Sequence, residues 1–221
     1  MKKQVKVFTG FIFFLSAVYL YAQDESQKFY GKFKTSIRGS ATIPHPISNR
    51  AFRKSFVGVY GFSLSPSIDL RKGITFGAIY ENGLFSVPAN KISGLTTTVQ
   101  YNNAGLRLGY DHYYSNKMLL SISLDAGQTW VNAKSLNYTV TDTAAHSFIS
   151  EYIKPELNLF FFIEDNFSIG INLSYHIINK SFDPAMPGLT SYRTFDSSDL
   201  GGAMGYLNWG FGFYVGLWKR K

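Results

Sequence analysis

Beyond residue 28 the chain sets apolar side chains at every second position, in one segment after another. In the first, Phe29, Phe33, Ile37 and Ala41 interleave with Tyr30, Lys32, Lys34 and Arg38. The alternation recurs over 56–69, 73–81, 95–113, 118–130, 152–163, 167–177 and 203–217. A period of two marks a strand with unlike faces, so the pattern predicts eight strands. An even number of antiparallel strands closes on itself with both chain ends at one rim. Two places strain the pattern. The apolar phase of 95–113 switches between Val99 and Tyr101 and the later Leu106, Leu108 and Tyr110, which predicts a bulge at Asn102 and Asn103. Pro155 falls inside the sixth strand, where it has no N–H to give.

The connections alternate in length. Asp69 to Gly73, Tyr114 to Lys117 and Glu164 to Asn166 are short, whereas Pro44 to Arg53, Pro88 to Gly94, Asn132 to Ser147 and Ser181 to Gly201 are long. Short periplasmic turns and long outer loops are the habit of transmembrane barrels. Crowding decides which face points outward. Phe, Leu, Ile, Tyr and Trp fill one face of all the strands, more than an eight-stranded lumen can hold. The opposite face is small and polar, with Gly61, Ser63, Ser65, Gly77, Ser121, Ser123, Gly210 and Gly212. It also carries Lys32, Lys34, Glu81, Arg107, Asp125, Lys154 and Glu156. A Lys or Arg among them would cost about 2–4 kcal/mol against lipid near the midplane. The expected fold is therefore an all-β, eight-stranded antiparallel up-and-down transmembrane β-barrel, its lumen plugged by those charges in mutual pairs. Tyr80, Trp130 and Tyr175, near the outer ends of the apolar face, fit an interfacial aromatic girdle.

The N-terminus adds an address. Lys2, Lys3 and Lys6 precede an apolar stretch from Val7 to Ala22, and the chain turns polar at Gln23, Asp24 and Glu25. This reads as a secretory signal peptide over 1–22, leaving 23–221 as one barrel domain. The formal charge of +8 falls to about +5 without the three signal lysines. Lys219, Arg220 and Lys221 close the chain, and the other cations are scattered singly, so no nucleic-acid surface is expected. There is no cysteine, which leaves the fold without disulfides and without a thiolate nucleophile.

The last strand, Asn208-Trp209-Gly210-Phe211-Gly212-Phe213-Tyr214-Val215, resembles the polar-x-Gly-x-x-aromatic-x-apolar signal read by the barrel-assembly machinery of the outer membrane. With the leader and the strand plan, the mature chain resembles the OmpA/OmpX-like outer-membrane β-barrel family. The resemblance implies Asn208, Gly210, Phe213 and Val215 as the assembly signal, and a final strand that pairs with the first. It also implies outer-membrane lipid, lipopolysaccharide and the assembly machinery as partners. The ending departs from the usual one by three basic residues after Trp218.

Signs of catalysis are sparse. His45, His112, His146 and His176 share no metal-ligand spacing, and neither a nucleophile elbow nor a phosphate loop is present, so no metal or cofactor is expected. Some eight-stranded barrels modify lipid A with a His and a Ser. Here His112-Tyr113-Tyr114-Ser115-Asn116 is similar to the His-x-Ser-Asn signature of lipid A deacylases, but one residue too long and placed in a periplasmic turn. His176 with Ser181, near the outer end of the seventh strand, is the better-placed pair, but His176 falls on the inward phase and a satisfied lumenal histidine is its leading reading. The leading expectation is a non-enzymatic outer-membrane scaffold. Its loops would serve adhesion, envelope integrity or binding of an extracellular ligand or host surface, and the segment Asn132 to Ser147 would offer a strand edge to a partner. Lipid A acyl transfer and a small channel are the alternatives.

Overall fold

The computed structural model describes residues 33–218 apart from 71, 89–94, 116, 138–143, 186 and 192. The expected leader over 1–22 and Lys32 lie outside the described residues. The strands are β1 (Thr35–Ser48), β2 (Val57–Asp69), β3 (Ile74–Ser86), β4 (Leu95–Ser115), β5 (Met118–Asn137), β6 (Ala144–Phe162), β7 (Phe167–Ile178) and β8 (Met204–Gly216). Each pairs antiparallel with the next, and β8 pairs with β1 to close an eight-stranded barrel. No helix among the described residues is long and apolar enough to cross a membrane.

The period-two reading sets the faces. Outward positions leave large apolar side chains uncovered, among them Leu106, Leu108, Ile171, Trp209 and Phe211, the last 78% exposed. Tyr80 and Trp130 lie on this face too. Phe213 lies across Gly39 of β1, where a Cβ would strike its ring, so an aromatic covers the bare backbone beside it.

Prolines mark where pairing lapses. Along an antiparallel strand, N–H groups point alternately to the two neighbours. Pro66 and Pro155 turn their missing donors toward β3 and β7, and those ladders skip Ser65–Pro66 and Lys154–Pro155. Pairing on their other sides, Ile37 with Pro66 and Leu124 with Pro155, is uninterrupted. Pro44 and Pro46 lie beyond Thr42, the last β1 residue paired with β2. That lets β1 run to Ser48 rather than stop near Ala41 as its sequence suggests.

The expected bulge at Asn102 and Asn103 is absent. Both registers of β4 run straight through those residues, and the shift falls at Tyr113/Ser115 instead. The apolar phase switches because the lumen itself changes. Val99 and Tyr101 point inward to an apolar layer, and Leu106 and Leu108 point outward.

Three layers fill the lumen. At the long-loop end, helix α1 (Arg50–Ser55) and the β7–β8 connection fold into the mouth. Asn49 caps α1 from the left-handed region, at φ 59, accepting the Phe52 N–H at 3.0 Å. The helix drives Phe52 against Phe85 and Phe182, with ring centroids 4.9 and 5.4 Å away. Val99, Tyr101, Val131, Tyr152 and Tyr206 extend this cluster along the wall. At the short-turn end, Phe33, Tyr113, Leu119, Phe160 and Tyr214 form a smaller apolar layer. Between the two lies the charge cluster.

Candidate functional site: the lumenal charge cluster

Five inward residues of four adjacent strands meet in the middle layer. The Arg107 guanidinium of β4 donates to both oxygens of Asp125 on β5, at 2.8 and 2.9 Å, and to Glu156 Oε1 on β6 at 2.7 Å. Arg107 and Asp125 are directly opposite in register, which suits the bidentate fork. Lys154 Nζ lies 3.0 Å from Glu81 Oε2, 3.0 Å from Asp125 Oδ2 and 2.9 Å from Glu156 Oε2. All five are buried, with Asp125 at 0% exposure and Lys154 at 1%. Charges so enclosed persist only when paired and hydrogen-bonded, and amides add to the pairing. Asn158 donates to Glu156 at 2.7 Å, Asn172 to Asn158 at 2.7 Å and Asn208 to Glu81 at 3.0 Å.

The structure thus brings together Glu81, Arg107, Asp125, Lys154 and Glu156 of the residues singled out in the sequence. Lys34 is a correction. It lies ahead of β1 and is exposed, because the barrel wall begins only at Thr35. Of the residues expected as an assembly signal, Asn208 points inward and donates to Glu81, whereas Phe213 and Val215 face outward.

Two members, Arg38 and Asp111, escape the sequence reading, and His176 is the lumenal histidine that reading favoured. Arg38 donates to Asp111 at 2.6 Å and to Ser121 at 2.6 Å, a second buried pair nearer the short-turn end. His176 joins through Nε2, 3.1 Å from Glu81 Oε1, and stacks on Tyr206 with centroids 4.3 Å apart. Arg38 and Asp111 occupy the inward phase of their strands, so parity alone would have found them. The geometry does not bring His176 and Ser181 together, since the histidine is fully buried and the serine is exposed. His112 faces outward on β4, edge-on to the Tyr114 ring. Among the described residues, no group of three or more side chains is placed to hold a metal.

At the long-loop mouth, Lys54 of α1 reaches Asp199 of α2 (Ser197–Leu200) at 2.8 Å, and Asn49 Nδ2 donates to the Gly202 carbonyl at 3.3 Å. The Lys54 hydrogen bond holds the Asp199 carboxyl below its ordinary pKa.

No family model and no curated protein matches the chain. Among solved structures it is similar to Neisserial surface protein A, with a TM-score of 0.51 and 10% identity over 86% of this chain and 100% of that one. It is likewise similar to a major outer membrane protein from Thermus thermophilus, with a TM-score of 0.51 and 10% identity over 82% of this chain and 98% of that one. Likeness at that identity is likeness of fold, and the chain has the fold of the small outer-membrane β-barrels, as its resemblance to the OmpA/OmpX-like family implied.

Proposed function

We propose that the chain is an exported outer-membrane protein with a packed, non-conducting lumen, and that its working part is the sheet of β4, β5 and β6 that stands beyond the long-loop mouth. The outward apolar band supports the location. Asn82, Asn102, Gln128 and Glu151 follow one another on the outward face of β3 to β6 and mark where that band ends. Past that line β4 to β6 continue, with 21, 20 and 19 residues against 12 to 14 in the other strands. On this reading the long loops face the cell exterior and 1–22 is a cleaved leader. Asn208, Gly210, Phe213 and Val215 then serve assembly.

The observation that carries the reading is the edge of β6, which is left without a pairing strand among the described residues. Its pairing with β5 runs to Ala144, while its pairing with β7 ends at Tyr152 and the Glu151 carbonyl. By the alternation of strand hydrogen bonds, Ser147 and Ile149 aim N–H and C=O at the vacant side, an invitation to a further strand. A second copy in the same membrane cannot accept it. Barrel strands tilt by roughly 35–45°, so rotation about the membrane normal crosses the two edges instead of aligning them. The fitting occupant is an extended segment of an extracellular partner, antiparallel to β6. Its apolar residue would lie beside Ile149, 60% exposed, and its acidic ones near Lys134 and Lys180.

Ser147→Pro with Ile149→Pro tests this. Both changes remove donors from the vacant side only, so the β5 ladder survives. Peptides selected from a random library on the nanodisc-embedded protein should bind the parent, slow amide exchange at Ser147 and Ile149, and lose binding to the double variant. Binders indifferent to the two prolines would overturn the edge as the docking site. A planar bilayer should show no steady conductance, and large stable channels would put transport first.

A further inference from the structure

The outward face carries a groove that arises from the proline in β2. Where Pro66 withholds its N–H, β2–β3 pairing lapses between Leu64↔Tyr80 and Ser67↔Gly77, and Ser65 Oγ donates to the Ala78 carbonyl instead, at 2.8 Å. Pro66, Gly77 and Ala78 make a low floor, and Ile37, Ile68, Phe76 and Leu106 stand around it. The groove encloses about 400 Å³ and runs across β1 to β4. Leu217 and Trp218 bound it at the short-turn rim, where Trp218 is 64% exposed.

That rim is basic. Exposed Lys34 is tied to Trp218 by a backbone hydrogen bond of 2.6 Å, and Lys72 is exposed in the β2–β3 turn. The carboxylate at this edge is Asp69, whose N–H donates to the Lys34 carbonyl at 2.9 Å. An apolar trough against hydrocarbon, opening onto two lysines and an indole at the interface, has the chemistry of an anionic lipid site.

We propose that the groove holds an acyl chain of an anionic phospholipid of the inner leaflet, its phosphate meeting Lys34 and Lys72 and its ester region meeting Trp218. The inference rests on the membrane reading above, which detergent-dependent solubility and a heat-sensitive shift in gel mobility check separately. A protein soluble without detergent would defeat that reading before the groove is tested.

The probe is phosphatidylglycerol against phosphatidylethanolamine with identical dioleoyl chains, offered in mixed micelles to the full chain and read by native mass spectrometry. Phosphatidylglycerol should be retained preferentially, by roughly fivefold for each lysine engaged. Lys34→Ser with Lys72→Ser should equalise the two lipids, and Ala78→Phe, which fills the floor, should release both. Equal retention by the parent protein, or phosphatidylglycerol still held by Ala78→Phe, would overturn the site. A second measurement needs no change in the groove. In a Trp130→Phe, Trp209→Phe background, which leaves Trp218 as the sole indole, brominated phosphatidylglycerol should quench more strongly than the brominated ethanolamine lipid. Equal quenching would refute headgroup selection.

Discussion

The middle of the lumen and its long-loop mouth are walled by the same strands in the same inward phase, yet they close the barrel in opposite ways. In the middle, Arg107, Lys154 and three carboxylates interlock through bonds of 2.7 to 3.0 Å. At the mouth, Phe52, Phe56 and Phe182 from the loops pack on Phe85, Tyr101 and Tyr206. The difference follows from what each region can recruit. A bore lined only by wall residues must fill itself from fixed positions, and long charged side chains reach across it. The mouth has loops to lend, so aromatic bodies fold in and bury apolar area without needing partners for charge. His176, Tyr101 and Tyr206 join the layers, with Tyr101 donating to Glu81 at 3.3 Å while its ring packs in the cap.

The largest effect should come from emptying the middle. Lys154→Ala leaves Glu81, Asp125 and Glu156 facing one another with a cation gone, and should cost about 3–5 kcal/mol. Reversible urea unfolding into lipid vesicles measures it. Glu156→Ala should cost less, about 2–3 kcal/mol, because Asp125 still holds both cations. If the two losses were reversed in size, Lys154 would not be the hub.

Phe52→Ala should cost about 3 kcal/mol by opening a cavity among rings that the α1 loop only partly collapses. It should also leave a planar bilayer silent, since the charged layer still fills the bore. Steady conductance in that variant would make the cap, not the middle, the seal. Leu157→Ala, next to Glu156 but outward, should cost about 1 kcal/mol or less, because lipid tails flow into the space the side chain vacates. A loss matching that of Glu156→Ala would erase the distinction between the faces.

The smallest effect concerns the loops over the cap. The Asp199 carboxyl is held below its ordinary value by Lys54, so its contribution is full above the unfolded pKa of about 3.9. That contribution fades as pH falls through the lower folded value. Amide exchange in the β7–β8 connection should quicken only under such acid, and Lys54→Ala should quicken it at neutral pH. Exchange that Lys54→Ala leaves unchanged would show that Asn49 and its carbonyl contacts tether these loops unaided.

Much of the barrel is legible from period two alone. Residues 56–69 and 167–177 predict β2 and β7 to within a residue, although a register shift between Gly58 and Tyr60 leaves Val57 and Val59 exposed out of phase with the rest of β2. The longest strands read short where their alternation fades. Past Trp130 and before Tyr152 the alternation of β5 and β6 thins, with Val131 and Ala133 still packed inward and Ile149 still apolar outward. The charge cluster is legible as a set, since Glu81, Arg107, Asp125, Lys154 and Glu156 share the inward phase. Its pairing is not, because cross-strand neighbours depend on register. Lys34 shares the alternation but not the lumen, because the wall starts one residue later and alternation does not say where pairing begins.

By itself, the sequence determined the number of strands, their order, the outward face and the ends at which the loops gather, since each follows from local alternation and connection length. Only the tertiary structure decided that the lumen is layered, that α1 and Phe182 turn inward to cap it, and that β6 runs on past the end of its pairing with β7. Those features depend on which residues face one another across the closed sheet, and a strand's own pattern states which side a residue faces but not what it meets there.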